Sequence, residues 1–130
     1  MLALGDDWLL MTPDGVCTEI RADVDVLMPD PEQGYVVYNH LITRTHAWMW
    51  FRQYASEDTA KKHENINYAA TILASNFVEG RRPRNYVYGP VIITGIHRSK
   101  VDELDANKLM MFGKFTHAQT ALTLGGDYDF

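Results

Sequence analysis

Cysteine occurs once in this chain, at Cys17. No disulfide can therefore close within it, and a zinc site built on several thiolates is excluded. A sequence so poor in thiols suits a reducing compartment, and the expected location is the cytoplasm. No run of about 20 apolar residues is present, the length a membrane-spanning helix needs, so no membrane partner is expected. The opening residues Met1-Leu2-Ala3-Leu4-Gly5-Asp6-Asp7 hold no base and two acids, and do not read as a secretory signal. Internal repeats are missing too: Thr-His-Ala recurs at Thr45–Ala47 and Thr116–Ala118, but in unlike surroundings.

Catalytic signatures are equally scarce. The chain has no Walker loop, no dinucleotide-binding glycine pattern and no Gly-x-Ser-x-Gly elbow. Its histidines, His40, His46, His63, His97 and His117, show no i, i+4 pair of the kind that holds a metal on a helix. His97-Arg98-Ser99 matches one half of a paired His-x-Ser/Thr phosphoesterase pattern whose second copy is absent. The adjacent acids Glu57-Asp58 and Asp102-Glu103 sit in polar contexts, where carboxylates are solvated or cap helices. No catalytic residue, metal or cofactor is thus expected, and binding is favoured over an enzyme.

What the chain does have is ordinary globular composition over 130 residues, 46% hydrophobic and 22% charged. This predicts a single domain spanning the chain, with a core from about residue 8 to 112 and a C-terminal extension over 113–130. The net charge of −5 argues against general nucleic-acid binding. Its distribution is uneven: −7 over residues 1–32, +5 over 33–100 and −3 over 101–130. A basic middle suits an anionic ligand.

Local patterns predict an α+β fold. Its mainly antiparallel mixed sheet has about five strands, with two or three helices, one of them packed across a sheet face. Trp8–Met11, the turn Thr12-Pro13-Asp14-Gly15 and Val16–Ile20 read as a hairpin. Ala22–Met28 reads as a strand or a short helix, and Pro29–Gly34 as a loop. Tyr35–Leu41 is a strand by its β-branched and aromatic content. His46–Tyr54 is a strand apolar on both faces, hence central, and Ala55–Lys62 is polar loop. Ile66, Ala69, Ala70, Leu73 and Phe77 then make a helical stripe from about Asn65 to Val78, capped by Asn65 or Asn67 and stopped near Gly80. Tyr86–Thr94 is a strand broken by Gly89-Pro90, read as a sheet edge or bulge. Ser99–Asp102 resembles a capping box before a helix through Phe112. Thr116–Gln119 resembles another, before a last helix to Leu124 that stops at Gly125-Gly126.

One constellation stands above this background. Arg81, Arg82 and Arg84 precede Tyr86 and Tyr88, with Trp50 as a further ring. Guanidinium forks suit phosphate, and aromatic faces suit a base, so these six form the candidate ligand site. Lys61-Lys62-His63 and Arg98-Ser99-Lys100 can add charge if the fold brings them near. Trp48 and Trp50 read either as core or as a contact surface, and a content of 12% aromatic residues points to a homo-oligomer.

The order of motifs resembles domain-of-unknown-function family 3846, small proteins of phage and plasmid genomes. The resemblance lies in the strand–turn–strand Leu9–Ile20, in Gly34–Leu41, in the helix start Asn67-Tyr68-Ala69-Ala70-Thr71 and in Gly89-Pro90-Val91-Ile92-Ile93-Thr94-Gly95. It implies a mobile-element accessory protein and brings no catalytic residues. The expected function is sequestration of an anionic small molecule, such as a nucleotide signal, in counter-defence. The alternative is an interaction protein that inhibits or modifies a host protein through its aromatic or acidic surface, and a small phosphoesterase is a distant third.

Overall fold

The computed structural model describes residues 7–21, 34–42, 45–74 and 86–124, with only the backbone for Asp7 and 114–124. Strands β1 (Asp7–Met11), β2 (Cys17–Arg21), β3 (Tyr35–Leu41), β4 (Trp48–Tyr54) and β5 (Val91–Thr94) form one sheet in the order β2-β1-β5-β4-β3. Every pairing is antiparallel. Helices α1 (Glu57–His63), α2 (Tyr68–Ala74) and α3 (Glu103–Leu124) complete an α+β fold, as the patterns above predict.

The hairpin closes as expected, with the amide of Thr12 donating to Val16 and that of Gly15 to Thr12. Strand alternation then sorts side chains between two faces. One face presents Leu9, Met11, Met49, Val91 and Ile93, all at most 2% exposed. α2 covers it with Ala69 and Ala70, and α3 with Ala106 and Leu109, while Leu73 packs half-buried at the margin. The other face carries a second cluster, Trp8 and Ile92 with Leu10, Ile20 and Trp50.

The Asn67–Thr71 segment locks these layers together. Asn67 is fully buried, and its Oδ1 accepts from the amide of Ala70, which makes it the cap of α2. Its Nδ2 donates to the carbonyls of Met11 and Gly89 at 3.1 and 3.0 Å. Thr71 Oγ1 donates to the Asn67 carbonyl and accepts from the amide of Val87. One turn of helix is thereby pinned to β1 and to the approach to β5.

Several expectations need correction. Ala55–Lys62 is no loop: Ser56 caps α1, accepting from the amide of Thr59, and acids Glu57 and Asp58 precede bases Lys61, Lys62 and His63 along it. The strand before Thr94 is short and central. Tyr88 only bridges to Ile66, Gly89 turns at φ +81, and the ladder starts at Val91, beyond the proline that could not donate to it. It is no edge. The two helices expected after Ser99 are one. Asp102 caps it through the amide of Leu104, and it continues through the Thr116 region without a break. The Ala22–Met28 alternatives, the Pro29–Gln33 part of the loop, the helix end near Val78 and Gly80, and the Gly125-Gly126 stop lie outside the described residues. No helix among the described residues is long and apolar enough to cross a membrane.

Candidate functional site

β4 sets Trp48 and Trp50 two residues apart, hence on one sheet face, and β5 sets Thr94 and Ile92 opposite them. Trp50 Nε1 donates to Thr94 Oγ1 at 2.9 Å, and that hydroxyl donates to the Gly95 carbonyl, which fixes the indole. Beyond Gly95 the chain makes a 3-10 turn, Ile96–Arg98. The amide of Gly95 closes it by donating to Ser99 at 2.8 Å, and that of Ser99 donates back to Ile96.

The turn is strained. His97 and Arg98 hold φ of 55° and 61°, the two positive values among described non-glycine residues. Such residues cost about 1–3 kcal/mol each and persist only where their surroundings over-determine them. Here the restraint is visible: Trp8 Nε1, from across the sheet, donates to the Arg98 carbonyl at 3.1 Å. The strain aims a side chain, for the Arg98 guanidinium lies 4.9 Å from the centre of the Trp50 ring. An arginine held by a ring face keeps its N–H fork free for an anion.

Together Asn39, Trp48, Trp50, Gly95, Ile96, His97 and Arg98 line a cleft of about 350 Å³. That volume lies within the usual range of small-molecule sites, roughly 300–1,000 Å³. No carboxylate lines it, and among the described residues none pairs with Arg98.

The sequence-derived site residues divide between places. Trp50 belongs to this cleft. Tyr86 and Tyr88 instead border a cavity of about 90 Å³ with Arg52, Tyr54 and Glu57. Arg52 is engaged there, its Nη1 2.6 Å from Glu64 Oε1. Tyr88 is 5% exposed and packs with Tyr54 and Ala60. Arg81, Arg82 and Arg84 lie outside the described residues. Asn39 and His97 escaped the reading of a ligand site, and Arg98 entered it only as possible extra charge. The signal for Arg98 was the basic tripeptide Arg98-Ser99-Lys100 between a strand and a capped helix, and Asn39 gave none. Among the described residues no group of acids, histidines or cysteines is placed to hold a metal.

Burial raises the pKa of four titrating groups. Burial pushes the Cys17 thiol up to about 11, so it is a poor nucleophile at neutral pH. Tyr88 is raised from 10 to about 12, first by burial and then by its hydroxyl donating to Glu57 at 2.8 Å. Tyr54 and Tyr68 move the same way, mainly through burial. A raised phenol stabilises the fold fully below the unfolded value, and that stability is lost as pH climbs through the folded one. Urea midpoints should accordingly fall between pH 10 and about 12. Tyr88→Phe should flatten part of that fall, and an unchanged profile would place the Tyr88 hydroxyl in water.

The chain matches no protein-family model, no curated protein and no solved structure.

Proposed function

We propose that the protein binds a small planar anion of the nucleotide class in the Trp48–Arg98 cleft. The observation that carries this reading is the Arg98 guanidinium stacked on Trp50 in a cleft free of acids. The free indole surface of Trp48 suits a base, the Arg98 fork suits a phosphate oxygen, and the Asn39 amide suits a polar base edge. Sequestration of a nucleotide signal, the role such binding would serve, follows from the mobile-element resemblance alone.

Titration calorimetry and tryptophan fluorescence against nucleoside mono-, di- and triphosphates and cyclic dinucleotides test the proposal. Binding is expected for at least one class. Arg98→Glu should weaken it about 10- to 100-fold, since a charge-assisted hydrogen bond contributes roughly 1.5–3 kcal/mol. Trp48→Ala should weaken it by a similar factor through lost stacking. Arg98 is exposed, so its variant should melt like the parent. Loss of binding in Arg82→Glu/Arg84→Glu with Arg98→Glu unaffected would move the site to the arginine-rich segment. Silence across the whole panel at millimolar concentration would remove the ligand reading altogether.

A further inference from the structure

The sheet has two edges, and they are unlike. β2 is five residues long and presents exposed Glu19 and Arg21, charges of the kind that keep an open edge from pairing. β3 is seven residues, Tyr-Val-Val-Tyr-Asn-His-Leu, with no carboxylate, lysine, arginine or proline. Val36, Tyr38 and Leu41 on it are 47%, 54% and 45% exposed. Its ladder runs to β4, and among the described residues no backbone hydrogen bond leaves its outer side.

We propose that β3 pairs antiparallel with β3 of a second copy, about a two-fold axis at Tyr38, to make a homodimer with one continuous sheet. The strand is complementary to itself in that register. Tyr38 meets Tyr38, Val36 meets His40, Val37 meets Asn39 and Tyr35 meets Leu41, so no like charges fall opposite one another. Aromatic and β-branched cross-strand pairs are the stabilising unit of a sheet. The same operation on β2 would set Glu19 against Glu19. Each copy carries a net charge of −5, so two copies meet most favourably along a strand without charge.

The pairing also reaches the cleft. Residues directly opposite in an antiparallel pair share a face. The second copy's Val37 therefore comes beside Asn39, which lines the cleft, and adds an apolar side chain to its rim. Both clefts lie on the same face of the joined sheet. The dimer stands independently of the ligand proposal, because its mass is measured without ligand.

Sedimentation at tens of micromolar is expected to give twice the 14.9 kDa chain mass. Tyr38→Lys, which sets two ammonium groups opposite one another, should give the single-chain mass with an unchanged circular dichroism spectrum. Glu19→Lys on the other edge should leave the dimer intact. If Tyr38→Lys does not fold, Val36→Lys on the same exposed strand takes its place. A parent chain that sediments at 14.9 kDa overturns the proposal. So does a folded β3 variant that stays dimeric, or a dimer lost on changing Glu19.

Discussion

Replacing Asn67 by alanine should lower the unfolding free energy by about 4 kcal/mol. The side chain is fully buried and makes three hydrogen bonds at once. Alanine would leave the Met11 and Gly89 carbonyls without their donor, at roughly 1–3 kcal/mol for each buried group. It would also remove the cap of α2, worth about 1 kcal/mol. Domains of this size are held by only about 5–15 kcal/mol in all. Asn67→Asp separates the two parts of the loss. The carboxylate keeps the acceptor for Ala70 but turns a second oxygen toward two carbonyl oxygens. It should therefore be at least as damaging as alanine near neutral pH, although aspartate is a good cap elsewhere. Urea unfolding of both variants measures this. A loss below about 1 kcal/mol in Asn67→Ala would mean that the side chain is not the tie between helix and sheet.

That tie explains why part of the fold was legible. A capping asparagine followed by a helical stripe is a local signal, as are the Pro-Asp-Gly turn and the β-branched and aromatic content of β3 and β4. Elements that failed to announce themselves lack hydrophobic periodicity. α1 buries only Ala60 among its seven residues and is specified by its Ser56 cap and by charges matched to its dipole. β5 has just four residues, all buried, so no alternation could separate a central strand from an edge. α3 was divided in two because Thr116-His117-Ala118-Gln119 looks like a helix start. Once a helix is already running, such a sequence is simply carried along in it.

The Asn-x-x-Ala-Thr motif, quoted above for a family resemblance, is fold chemistry here: Asn67 and Thr71 spend their polar atoms on backbone. The site was harder to read because its geometry is non-local. Trp50 stood out as an aromatic. Nothing in Ile96-His97-Arg98, which contains no glycine, signals a left-handed backbone. That conformation is held from Trp8, 90 residues away from Arg98. The arginine-rich segment stood out because its charges are adjacent in sequence, whereas the cleft assembles Asn39, Trp48 and Arg98 from three separate elements.

Gly95→Ala should damage stability and ligand binding together. The backbone at Gly95, φ −79° and ψ −173°, is open to any residue, so the constraint is one of space. An added Cβ would sit inside van der Waals contact of the Lys100 carbonyl oxygen, 3.1 Å from its carbon and 2.6 Å from Ser99 Oγ. The serine can rotate away, but the carbonyl cannot. Lys100 leads directly into buried Val101 and the Asp102 cap of α3, which anchor it. Relief must come from opening the Gly95–Ser99 bond that closes the strained turn. Overpacking of this kind costs typically 1–3 kcal/mol, and a backbone clash belongs at the upper end, about 3 kcal/mol. An opened turn also releases Arg98 from Trp50 and takes the acceptor away from Trp8 Nε1. Affinity for the proposed anion should then fall at least tenfold, and the tryptophan emission should shift before any ligand is added. Arg98→Glu, by contrast, should weaken the proposed binding about 10- to 100-fold at nearly full stability. If Gly95→Ala melts like the parent and keeps its affinity, the turn does not depend on this close approach. The cleft would then owe its shape to the Trp8 hydrogen bond alone.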